Sequence, residues 1–65
     1  MSDVTSILIV DDEAPARARL REVLADLAVD FPHRVTGEAA NAPEALAQID
    51  SQRPQIVLMD VQMPG

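Results

Sequence analysis

Two short aliphatic runs bracket the chain, ILIV at residues 7–10 and IVLM at residues 56–59. Neither alternates with polar residues. A strand with one wet face alternates, whereas an unbroken aliphatic run suits a strand covered on both faces, the habit of parallel sheets. Parallel neighbours need a crossover of about a dozen residues or more, usually a helix. Both runs also stop on acid: Asp11, Asp12 and Glu13 follow the first, and Asp60 follows the second. Three adjacent like charges repel. They are either solvated acids at the start of a helix, or something positive sits against them.

The intervening sequence supplies the crossovers. DDEAPARARLREVLADLAVD carries apolar residues at Ala16, Leu20, Val23, Leu24 and Leu27, the spacing of one helix face. Pro15 falls in its first turn, where a missing N–H costs nothing. Arg17, Arg19 and Arg21 read as a solvated face. Residues 30–33 form a connection in which Phe31 is expected to anchor the helix end in the core and the lone His33 to be solvated. Residues 34–40 read as a second strand, weakened by Gly37 inside it. In residues 41–50, Asn41 is a good N-cap, Pro43 sits in the first turn, and Glu44 stands three beyond the cap as in a capping box. Leu46, Ile49 and the alanines give this second helix its apolar side. Residues 51–54 close it, because the position before Pro54 disfavours the helical region. Met59 is expected in the core, Met63 in loop packing, and residues 61–65 read as a turn. The order β-α-β-α-β makes the chain an α/β protein with a parallel sheet.

Handedness then fixes the strand order. Crossovers between parallel strands are right-handed in nearly all proteins. If the second strand lies on one side of the first and the third returns to the other side, the order is 2-1-3 and the helices cover opposite faces. All strand ends then share one edge, with the outer strands about 4.8 Å from the first. Asp60 and the Asp11–Asp12 doublet converge at the switch point, where open α/β sheets bind ligands. Either acid group alone reads better as an ordinary helix start or strand end; the joint pattern is what points to a site. A hard divalent cation relieves the repulsion, and magnesium, with its preference for oxygen ligands and retained waters, suits carboxylates with open positions. One carboxylate can then serve as nucleophile toward phosphorus.

Composition narrows the alternatives. The 65 residues carry a formal net charge of −6, and all five basic residues are arginines. Three of them cluster at positions 17–21, too local and too outweighed for a nucleic-acid footprint. Phe31 is the one aromatic residue, so base stacking has no support. There is no cysteine, hence no disulfide or thiolate metal site. MSDVTS lacks the basic start of a signal peptide, and the aliphatic runs are far shorter than a membrane span. A soluble, cytoplasmic chain with no membrane association is expected.

ILIVDDE followed by IVLMDVQMPG, one βαβαβ unit later, resembles the receiver domain of two-component response regulators. The combination of an acidic doublet after strand one with D-x-x-M-P-G after strand three is specific, and the likeness spans essentially the whole chain. It implies a flavodoxin-like fold, cut to β1-α1-β2-α2-β3. It implies that Asp60 is the phosphoacceptor and that Asp12 ligates Mg2+ directly. Asp11 would act on the metal through bound water, and Gln62 would lend its backbone carbonyl. A histidine kinase is the implied phosphoryl donor. DDEAPARARLREVL resembles more particularly receivers that carry a LytTR-type DNA-binding output domain, so DNA would be contacted only through a domain outside this sequence.

The family also uses a hydroxyl residue after strand four and a lysine after strand five. This sequence has no lysine, so residues 1–65 are expected to be the N-terminal half of a receiver. Alone, such a piece would expose the edge of its third strand and tend to dimerise or swap elements. Two other readings stay open on the residues. One is a magnesium-dependent phosphatase of the haloacid-dehalogenase type with an aspartate nucleophile, although that pattern wants a D-x-D pair on one strand end. The other is a receiver-like interaction module that is never phosphorylated.

Overall fold

The computed structural model describes residues 4–59. Its elements are β1 (Thr5–Val10), α1 (Ala14–Asp26), β2 (His33–Ala39), α2 (Ala42–Gln52) and β3 (Ile56–Met59). The strands are parallel and lie in the order β2-β1-β3. The α/β class and the 2-1-3 order expected from handedness are both present.

β1 runs through the centre, and Ile7, Leu8, Ile9 and Val10 are at most 1% exposed. Successive side chains point to opposite faces. Ile7 and Ile9 pack with Leu20 and Leu24 of α1, joined by Val35 and Leu58 from the flanking strands. Leu8 and Val10 pack with Ala39 and with Ala45 of α2. A helix on each face is why this run does not alternate, and each buried aliphatic side chain contributes about 1.5–3 kcal/mol. At the start of β3 the Gln55 N–H donates to the Ser6 carbonyl at 3.0 Å, and the Ser6 N–H donates to Gln55 Oε1 at 3.1 Å. This clip sets a register in which Ile7 pairs with Ile56 and Val10 with Met59.

β2 carries a bulge. Ile7 pairs with Val35 but Leu8 pairs with Gly37, leaving Thr36 as the extra residue. The Thr36 hydroxyl donates to the Ile7 carbonyl at 3.2 Å, a bond made at the break in the ladder. An inserted residue reverses which face each later side chain meets. Val35 therefore faces α1 while Ala39 faces α2, and Glu38 is turned to the α1 side. Gly37 lies under Gln48 of α2, whose side chain occupies the space a Cβ would take.

The second helix starts as read. Asn41 Oδ1 accepts from the Glu44 N–H at 2.9 Å, and Glu44 Oε1 accepts from the Ala40 N–H at 2.9 Å, one residue before the usual return bond of a capping box. It runs two residues past the expected end, to Gln52, and stops when Arg53 turns left-handed at φ 49° with its N–H on the Ile49 carbonyl.

Several expectations are corrected. β1 begins at Thr5, two residues before the aliphatic run, because Thr5 and Ser6 pair with His33 and Arg34 through backbone that polar side chains do not reveal. β2 is shifted one residue toward the N-terminus and includes His33, whose Nδ1–H donates to the Phe31 carbonyl at 2.7 Å. Phe31 is no core anchor: it is 37% exposed and stacks on His33. Met59 is likewise 51% exposed, since β3 is an outer strand. On the helices only Leu24 and Ala45 are fully buried, while Val23, Leu27 and Leu46 stay exposed. Among the described residues no helix is long and apolar enough to cross a membrane.

Candidate functional site

The C-terminal edge of the sheet is where the first two candidate residues lie. Asp11 extends the ladder past β1 by donating its N–H to the Ala39 carbonyl at 3.0 Å. It is 4% exposed, and its Oδ1 accepts from the Glu13 N–H at 2.9 Å. The acid therefore closes the turn into α1 rather than capping the helix itself, and Glu13 at the N-cap position makes no side-chain cap. Asp12, next in the chain, is exposed to solvent. On the neighbouring strand Met59 stands opposite Val10, so the residues immediately before Asp60 and Asp11 are paired. Asp60 and Gln62, the other two candidate residues, lie outside the described residues.

Behind the doublet is a network that the sequence reading missed. Arg17 Nη1 donates to the Asp11 carbonyl at 2.7 Å, and its Nε donates to Glu38 Oε1 at 2.9 Å. Arg21 Nε donates to the other oxygen, Glu38 Oε2. The hydrogen bond from Arg21, opposed by partial burial and reinforced by Arg17, holds the Glu38 carboxyl below its usual value. Arg17 is not part of a solvated face, its side chain being 19% exposed. It precedes Leu24 by seven residues, which brings it round to within about 20° of the same helix face. Heptad spacing was the signal for Arg17. For Glu38 the only hint was Gly37, because a glycine inside a strand often marks a bulge.

Between α1 and β3 lies an open cleft of about 330 Å³, lined by Asp11, Ala16, Arg19, Leu20, Leu58 and Met59. Its walls are mainly aliphatic, with Asp11 at one end. Among the described residues no three histidine, cysteine or carboxylate side chains gather as a cation site. Asp11 and Asp12 offer hard oxygen donors, the type magnesium takes.

The sequence pattern of the response regulator receiver domain matches residues 7–65. This chain belongs to that receiver family. Receivers are the signalling domains of two-component systems, and their partners there are histidine kinases. A positive alginate biosynthesis regulatory protein of Pseudomonas aeruginosa is 47% identical over 60 residues, covering 92% of this chain and 23% of the relative. The transcriptional regulatory protein BtsR of Salmonella typhi is 43% identical over 58 residues, covering 89% of this chain and 23% of the relative. A protein-glutamate methylesterase/protein-glutamine glutaminase of Paramagnetospirillum magneticum is 46% identical over 59 residues, covering 91% and 16%. The chain thus spans about a quarter or less of the curated relatives it matches. Regulators and an esterase share the matched segment, so the receiver sequence by itself does not determine the output. Membership in this family leaves the haloacid-dehalogenase reading without support.

Proposed function

We propose that residues 1–65 are the N-terminal half of a receiver and carry its phosphoacceptor. Asp60 takes a phosphoryl group from the phosphohistidine of a histidine kinase. An Asp60 carboxylate oxygen attacks phosphorus, and the P–N bond breaks with its electron pair passing to the imidazole nitrogen, which takes up a proton. An acyl phosphate remains on Asp60. The chain acts as a switch and not as an enzyme on an external substrate.

The observation that carries this reading is the pairing of Val10 with Met59. Each is followed directly by acid, on parallel strands whose neighbours sit about 4.8 Å apart. Asp11, Asp12, Asp60 and the backbone carbonyl of Gln62 are the groups that would hold Mg2+. Bound there, the ion would supply positive charge to offset that of the transferring group. The chain's own contribution is to keep Asp11 in place through the Glu13 N–H and the Ala39 carbonyl. Output is proposed to run through a C-terminal LytTR-type domain that binds DNA and regulates transcription in the cytoplasm. The DDEAPARARLREVL segment and the regulators among the relatives support that reading.

Acetyl phosphate replaces the kinase in the test. The full-length protein and its Asp60→Asn variant are incubated with acetyl phosphate, with magnesium or with EDTA, and weighed intact. A single phosphoryl adduct on the parent, requiring magnesium and missing from the variant, is expected. An unmodified parent, or equal modification of both, contradicts the assignment, and an unmodified parent favours a receiver that signals without phosphorylation.

A further inference from the structure

We propose that Arg17 is a positioning residue: its hydrogen bond to the Asp11 carbonyl fixes the β1–α1 turn and thereby the carboxylates of Asp11 and Asp12 that face the cation. This rests on the reading of those two acids as cation ligands.

The Asp11 residue is held from three directions. Its N–H is bonded to the Ala39 carbonyl at 3.0 Å, its Oδ1 receives the Glu13 N–H at 2.9 Å, and its carbonyl receives Arg17 Nη1 at 2.7 Å. The first two bonds come from backbone. The third comes from a side chain that is itself aimed, because Arg17 Nε is bonded to Glu38 at 2.9 Å. A guanidinium is a planar fork whose donors diverge at fixed angles, so fixing Nε on Glu38 also fixes where Nη1 points. Glu38 is in turn shared with Arg21 and placed on this face by the β2 bulge. Asp12 follows in the same turn, so a carbonyl held at Asp11 orients the peptide that carries Asp12.

Charge makes the arrangement informative. A guanidinium near a cation site repels the cation, so on electrostatics alone its removal should tighten binding. An arginine that positions ligands has the opposite effect, because outer partners of metal ligands commonly govern affinity. The sign of the change therefore separates positioning from mere helix-to-strand pairing.

The experiment titrates magnesium into the full-length protein and reads the dissociation constant from amide chemical shifts. Arg17→Met keeps much of the aliphatic stem and is expected to weaken binding about tenfold. Arg17→Lys keeps a donor for the Asp11 carbonyl and should recover part of the affinity. Arg19→Met removes a charge beside the same cleft without touching that carbonyl, and it should leave affinity unchanged or slightly raised. The spectrum without magnesium establishes that each variant is folded; if Arg17→Met is not, Arg17→Gln takes its place with the same expectation. An unchanged or tighter constant on loss of Arg17 overturns the proposal. If Asp12→Asn leaves magnesium binding intact, the cation-ligand reading has failed instead, and the two failures are distinguishable.

Discussion

Glu38 shows how much a single side chain can organise. Two guanidiniums, Arg21 and Arg17, hold its carboxyl ionised below its ordinary value of 4.5. The unfolded chain binds a proton at that carboxyl before the folded chain does, so stability rises with pH across the interval. The contribution is fully present above about pH 4.5 and is lost as pH falls through the lower folded value. Glu38→Gln is thus expected to cost under about 1 kcal/mol near neutrality, as suits a partly exposed pair. The gap between parent and variant should narrow below about pH 4.5, measured by urea unfolding of the receiver region across pH. Little of this was visible in the sequence. Arg17 read as one member of a solvated face, although its spacing to Leu24 put it on the inward face, and for Glu38 the sequence offered only the neighbouring Gly37.

Among the elements, those with the plainest local signals were the easiest to read. β1 announces itself as an aliphatic run because helices cover it from either side, β3 is aliphatic although Ile56, Val57 and Met59 stay exposed, and α2 announces its start through Asn41 and Glu44. β2 was harder. Strict alternation puts Val35 and Ala39 on one face, whereas the bulge at Thr36 sends them to opposite faces and turns Glu38 toward α1. A bulge is a matter of pairing between strands, and only its glycine leaves a mark in the sequence. Gly37 matters because the Gln48 side chain lies over it and donates from Nε2 to the Glu38 carbonyl at 2.6 Å. Gly37→Ala should displace Gln48 and lose that bond, a cost of about 1 kcal/mol offset in part by the smaller backbone entropy of alanine in the unfolded chain. Introduced into a Gln48→Ala background, the same substitution should become neutral or stabilising. Unfolding free energies of the four proteins in this double-mutant cycle check it, and a cost that persists without Gln48 would show that the crowding comes from elsewhere.

At the level of the whole molecule, topology brings together strand ends far apart in sequence. The order β2-β1-β3 puts β1 in the middle, and the register that pairs Val10 with Met59 brings the two acid-bearing strand ends to one edge. That convergence could be argued from the parallel crossovers once the third strand was taken to return past the first, so the edge was legible in the sequence. The struts behind it were not, since they depend on a bulge and on one arginine's reach. The ends of β1 and β3 are proposed to serve one divalent cation together. Manganese titrated in place of magnesium into the full-length protein tests this most directly, because its unpaired electrons broaden nearby amide resonances. Broadening of residues 11–13 and 59–61 together, at the same manganese concentrations and reversed by excess magnesium, is the predicted result. Broadening confined to one of the two strand ends would contradict it.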